Sequence, residues 1–183
     1  MRAFINFCGF QALWWATVLG TSMAKPWIGP SVMMVWIVWH FTNLKRADIL
    51  PELALLVITI VVGMSLDSAL VSTGFIEFPL HTHDYQVPLW MGLIWAGFGM
   101  TFRHSLGWLQ GRYWLAALLG VIGGPVAYVA GETFGVIVVN GTTGVVAVGF
   151  EYLVAVPALT ALSLYVERLF SGSTESSLGD PAK

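Results

Sequence analysis

Residues 53–74 read LALLVITIVVGMSLDSALVSTG, and this stretch decides the class of fold. From Leu53 to Val62 the run is apolar and uncharged, broken only by the hydroxyl of Thr59. Its apolar character is continuous rather than alternating, which fits a helix in lipid and not a strand of a membrane barrel. A membrane-crossing helix needs about 20 such residues, and the segment 50–72 supplies them. Asp67 sits inside that segment. A carboxylate within a span is costly and marks either a functional site or a buried partner.

The rest of the chain has the same character. Of 183 residues, 57% are apolar and 10% are charged, with nine Trp, eleven Phe and a mean hydropathy of +0.78. Soluble domains carry about 25% charged residues, so the bilayer must be the solvent for most of this surface. A formal charge of −2 provides no basic patch for nucleic acid. The single cysteine, Cys8, excludes an intrachain disulfide and a multi-cysteine zinc site.

Six apolar segments appear, at roughly 4–23, 27–43, 50–72, 88–108, 113–131 and 144–166. The expected fold is an all-α integral membrane protein with six transmembrane helices in one domain, residues 1–170. Residues 171–183, SGSTESSLGDPAK, are expected to be a disordered cytoplasmic tail. With the N-terminus inside, Arg2, Lys45, Arg46, Arg103, Arg112, Arg168 and Lys183 fall on the cytoplasmic side and only Lys25 falls outside. That bias predicts both termini in the cytoplasm of an inner-membrane, multi-pass protein. Ser22-Met23-Ala24 has the small residues of a signal cleavage site, but the apolar stretch before it is long and is preceded by one basic residue only.

Threading assigns depth to the polar groups. Asp67 and Glu151 fall in the outer third of their spans, and Glu132 at an outer end, near the loop FIEFPLHTHDYQVP. Asp67, Glu151, Glu132, Ser68 and Trp90 are therefore the candidates for an outward-facing polar ligand site. Arg103 and His104 lie about 22 Å below the outer end of the fourth span, with His40 and Asn43, as an inner-leaflet alternative. There Arg103 is expected to snorkel to the inner headgroups, and His104 to donate to a backbone group or a lipid phosphate. His81, His83 and Asp84 alternate along the outer loop and form a weak metal motif; no cofactor is expected otherwise. Ala12, Ala16 and Gly20 share a four-residue spacing on the first helix and offer a smooth face to a partner in the membrane. Gly120-x-x-x-Gly124 is read as packing within the bundle. No nucleotide-binding loop, nucleophile elbow or His-Glu-x-x-His motif is present, so no catalytic motif points to an enzyme.

Asn6-Phe7-Cys8-Gly9-Phe10-Gln11, Lys25-Pro26-Trp27-Ile28-Gly29-Pro30, Leu66-Asp67-Ser68, His104-Ser105-Leu106-x-Trp108-Leu109 and Gly123-Gly124-Pro125-x-Ala127-Tyr128 together resemble a bacterial membrane family, domain of unknown function 2878. The likeness covers roughly residues 3–168 and implies a bacterial inner-membrane protein, with no catalytic residues to carry over. The Gly63-x-x-x-Asp67 pattern and the Ala12-x-x-x-Ala16 spacing are also similar to the substrate-capturing subunits of energy-coupling-factor transporters and to the rod-shape protein MreD. That second likeness implies a transport-like accessory subunit that captures a small ligand and docks a partner through its first helix. The leading expectation is thus a ligand-binding or accessory protein. A lipid-modifying enzyme at the inner leaflet and a purely structural assembly factor are its rivals.

Overall fold

The computed structural model describes residues 1–81 and 87–178, and it is helical almost throughout. The helices are α1 (Arg2–Ser22), α2 (Ile28–Thr42), α3 (Arg46–Ser72), α4 (Leu89–Gly99), α5 (Tyr113–Thr133) and α6 (Gly141–Leu178). Two short strands, β1 (Ile76–Glu77) and β2 (Val138–Val139), pair antiparallel, Ile76 opposite Val139. The expected tail overlaps α6, which continues to Leu178.

Residues α1, α3, α5 and 141–170 of α6 are long and apolar enough to cross a membrane. α2, at 15 residues, and α4, at 11, are shorter apolar helices. At about 1.5 Å per residue α4 covers roughly 16 Å, half of a bilayer's hydrocarbon thickness.

The stretch that opened the sequence reading folds as α3 and stops where its chemistry changes. Gly74 takes φ +72°, the left-handed conformation that glycine adopts without a Cβ penalty. The amide of Phe75 donates to the Leu70 carbonyl and that of Gly74 to the Val71 carbonyl, which satisfies the last turn. Gly135 ends α5 in the same way, with Val136 donating to Gly131. These two ends deliver the chain into β1 and β2, so both connections meet at one end of the bundle. Asn140 ties them together, donating to the Gly74 carbonyl and to Glu77.

The opposite end gathers the N-terminus, the α2–α3 connection and the chain from α4 to α5. Asn6 reaches Met100 and Ser105 there, and Gln110 donates to Ser163 of α6. The six helices therefore alternate in direction. Arg2, Lys45, Arg46, Arg103 and Arg112 lie at this second end, called the arginine end below, and Lys25 lies beyond α1, toward the β-ladder end.

α3 packs between α4 and α6, α5 lies along α6, and α1 packs on α2 and α4. α1 and α5 are not among the closely packed pairs. Gly120 and Gly124 of α5 press against Tyr152 of α6, where an added Cβ would lie 2.3 Å from the Tyr152 carbonyl oxygen and 2.4 Å from its ring. The spacing expected to serve internal packing does so.

The fourth span departs from expectation. A helix over 88–108 was the expectation; α4 ends at Gly99, and the chain continues as turns to a short 3-10 segment, Gly107–Leu109. The cause is the buried side chain of Asn6. Its Nδ2 donates to the Met100 carbonyl at 2.9 Å, while its Oδ1 accepts from the Ser105 amide at 3.2 Å and from the Ser105 hydroxyl at 2.6 Å. One amide thus replaces helical partners on both sides of the break. Irregular backbone at membrane depth is tolerated where protein buries and satisfies it in this way.

Candidate functional site

Asp67 is fully buried and does not face lipid. The Trp95 indole donates to its Oδ2 at 2.7 Å, and the Tyr128 hydroxyl donates to its Oδ1. Trp95 comes from α4 and Tyr128 from α5, so one carboxylate links three helices. Gly63, one turn before Asp67, makes the geometry feasible. A Cβ there would fall 1.9 Å from Cδ2 of Trp95, so the indole lies directly on the α3 backbone. The Trp95 ring stacks on Tyr152 at 5.4 Å between centroids, and Tyr152 meets Tyr128 edge-on at 5.9 Å.

These aromatic rings form part of a wall. A cavity of about 430 Å³ lies where α1 and α5 fail to pack, with α4 as its floor. Phe10 and Trp14 of α1, Trp90 and Trp95 of α4, and Gly123 and Tyr128 of α5 line it. The lining is overwhelmingly apolar; Thr101 and Ser105 add hydroxyls toward the arginine end. Asp67 and Glu151 do not line it. Asp67 stands behind the wall and holds two of its rings.

The other expected ligand residues are placed as follows. Glu151 is 7% exposed, lies within electrostatic reach of Asp67, and finds no hydrogen-bond partner for either carboxylate oxygen among the described residues. Glu132 accepts from the Val139 amide at 2.9 Å and serves the β-ladder end. The Ser68 hydroxyl donates to the Met64 carbonyl of its own helix. Trp90 lines the cavity and packs edge-on against Phe78. On α1, Ala12 is exposed, Ala16 is half-buried, and Gly20 is buried against Lys25 and Ile28. Of the outer-loop trio only His81 is placed; His83 and Asp84 lie outside the described residues.

At the arginine end a second polar constellation is present. Glu52, in the second turn of α3, is 1% exposed. Its Oε1 lies 2.8 Å from Nε2 of His40 and 3.3 Å from Nε2 of His104, the latter without hydrogen-bond geometry. Its Oε2 accepts from Arg103 at 2.9 Å, and the other arm of the same guanidinium donates to Asp48 at 2.9 Å. The Arg103 side chain is only 7% exposed. Arg103 was expected to snorkel, and it forks between two carboxylates instead. His104 lies against the His40 ring, with centroids 4.7 Å apart and planes near perpendicular. Beside the cluster is a smaller cavity of about 120 Å³, lined by Asn6, His40, Asn43, Asp48 and His104, with Arg2 and Lys45. His40, Asn43, Arg103 and His104, grouped by depth from the sequence, are thus gathered at one place.

Sequence reasoning missed Glu52 and Asp48, which complete this cluster, and Trp95 and Tyr128, which complete the Asp67 site. Glu52 had a signal: it is a carboxylate inside the third apolar segment. Trp95 and Tyr128 had none that distinguishes them from other aromatic residues in spans.

No curated protein and no solved structure matches the chain. One family model matches residues 3–158, and on that match the chain belongs to the family described as protein of unknown function (DUF2878).

Proposed function

We propose that this is a six-span protein of the bacterial inner membrane, with the arginine end in the cytoplasm, and that it binds an amphiphile whose apolar body lies in the groove between α1 and α5. The observation that carries the reading is the 430 Å³ aromatic-walled cavity between two helices that do not pack closely. Its volume is that of a small-ligand site, about 300–1,000 Å³. The wall is also held in place at a cost. A seam that merely met fluid lipid would gain nothing from a buried carboxylate, because burying that group is expensive. Asp67 fixes Trp95 and Tyr128 by hydrogen bonds from behind, which is how a binding surface is preorganised. Asp67 is then a positioning residue, and Trp90 is a contact residue. In this reading α2, about 22 Å long, crosses with the help of its flanking residues, and α4 with the help of the irregular chain from Met100 to Leu109.

The test uses Gly123. It lines the groove, and a Cβ built there meets nothing within 4 Å. Gly123→Leu therefore starts its side chain in open space at the groove, and relieves a helix penalty of about 0.8 kcal/mol. Quenching of tryptophan fluorescence by doxyl stearate in detergent should saturate for the natural protein. In Gly123→Leu its midpoint should rise at least about tenfold, since 1.4 kcal/mol of lost contact suffices, with the unfolding midpoint unchanged or raised. Equal quenching curves for the two proteins would refute the reading, as would a copurifying polypeptide that occupies the groove.

A further inference from the structure

We propose that His40, Glu52 and His104 form a site for one divalent transition-metal ion, with an open coordination position facing the small cavity at the arginine end. The site is separate from the groove and stands without it.

The three ligand atoms already converge. One ring nitrogen each from His40 and His104 and a Glu52 carboxylate oxygen lie within 4.8 Å of one another. An ion bound tetrahedrally at about 2.0–2.1 Å holds its ligand atoms about 3.3 Å apart. The His104–Glu52 distance, 3.3 Å, matches that value, and the His40–Glu52 distance, 2.8 Å, is about half an ångström shorter. Ring rotations and shifts of a few tenths of an ångström would therefore admit an ion. The ligands come from the last turn of α2, the second turn of α3 and the turn after α4, so the three-dimensional fold assembles them and no local motif does.

The surroundings are those a metal-binding carboxylate requires. Glu52 offers Oε1 to the imidazoles because Arg103 occupies Oε2, and Arg103 is itself held by the side chain and carbonyl of Asp48. Outer partners of this kind orient ligands and tune their affinity. The buried Glu52 carboxylate also shares its one guanidinium with Asp48, whose side chain is 38% exposed. His104 Nε2 lies 3.3 Å from the same carboxylate oxygen that His40 meets.

Two imidazole nitrogens with one carboxylate oxygen select zinc, ferrous iron or a similar borderline ion over magnesium or calcium, which take oxygen ligands. The adjoining 120 Å³ cavity holds a few waters at about 30 Å³ each. Asn43, Asp48, Arg2 and Lys45 line it and can hold such waters. Three protein ligands beside a wet cavity make an open site of the catalytic kind.

The experiment titrates full-length, chelator-stripped protein in detergent with Co²⁺ and follows the visible ligand-field absorption. One ion per chain is expected, displaced by Zn²⁺, and Zn²⁺ should raise the unfolding midpoint. His40→Ala, Glu52→Gln and His104→Ala should each weaken binding by about a hundredfold or more, since even outer-sphere changes cost 10–100-fold. His104 is the safest probe of the three, because its side chain is 27% exposed and its loss threatens the fold least. A His81→Ala/His83→Ala variant should bind as the natural protein does. The proposal is overturned if the natural protein shows no saturable spectrum. It is equally overturned if the spectrum survives in His40→Ala/His104→Ala or vanishes in the His81/His83 variant; a proton on one histidine would then be what balances Glu52.

Discussion

Asp67→Leu and Asp67→Asn should separate sharply in stability, although both remove the same charge. The leucine strands two buried donors, the Trp95 indole N–H and the Tyr128 hydroxyl. Each orphaned donor costs about 1–3 kcal/mol. An unfolded chain still in a micelle finds replacement partners, so the low end applies, about 2 kcal/mol in total. The asparagine avoids most of this. Its carbonyl accepts from Trp95, and its amide donates to the Tyr128 oxygen, so only the Tyr128 hydroxyl proton loses its acceptor. Asp67→Asn should therefore stay within about 1 kcal/mol of the natural protein, the weaker neutral bonds being offset by a lighter desolvation penalty. A second substitution checks the cause. Tyr128→Phe on its own removes a donor that Asp67 uses, and should destabilise. Added to Asp67→Leu it removes an orphan, and should recover about 1 kcal/mol. Equilibrium unfolding in mixed micelles, followed by tryptophan emission, measures the natural protein and the four variants. Leucine and asparagine variants of equal stability, or no recovery by Tyr128→Phe, would refute the account of Asp67 as the tie behind the aromatic wall.

Gly63→Ala should destabilise by about 1–3 kcal/mol through overpacking, because its Cβ would meet the Trp95 ring at 1.9 Å; a shifted tryptophan emission maximum should accompany the loss. Asn6→Leu leaves the Met100 carbonyl and the Ser105 amide without their partner. It should cost about 2–4 kcal/mol and raise hydrogen exchange at residues 100–106, and unchanged exchange there would sink the explanation of the α4 break. Reporter fusions at Arg46 and Arg112 should register cytoplasm and fusions at Gly141 the outside, as the separation of basic residues between the two ends requires; one reversed site would break the six-span threading.

Apolar runs announce helices in lipid, so the six helices could be read from composition and continuity alone. Where such a run ceases to be helical could not. The segment 88–108 is apolar on both sides of Gly99, and its helix stops because Asn6, 94 residues earlier in the chain than Met100, supplies a competing set of hydrogen bonds. The polar sites divide in the same way. Depth follows from counting residues along a span, and counting correctly set Arg103, His104, His40 and Asn43 apart from Asp67. Counting says nothing about azimuth, which decides what each group faces. Arg103 was sent to the headgroups because its partner, Glu52, looked like the ordinary charged edge of a span; in the fold both turn inward, and the pair is buried. Asp67 was grouped with Glu151, Glu132 and Ser68 because those residues are polar; Glu151 does lie within electrostatic reach of it, but none of the three hydrogen-bonds to it. Its real partners are an indole and a phenol, groups that read as apolar in any hydropathy sum yet each carry one donor. At Asp67 the residues that satisfy the buried carboxylate are therefore amphipathic aromatics, and Gly63 is the clue that one of them lies flat on the helix. The metal candidate visible in the sequence, His81 to Asp84, was visible because its residues are close in sequence. The cluster proposed among the described residues, His40, Glu52 and His104, is drawn from two helices and a turn, and it becomes visible only when helix directions and neighbours are known.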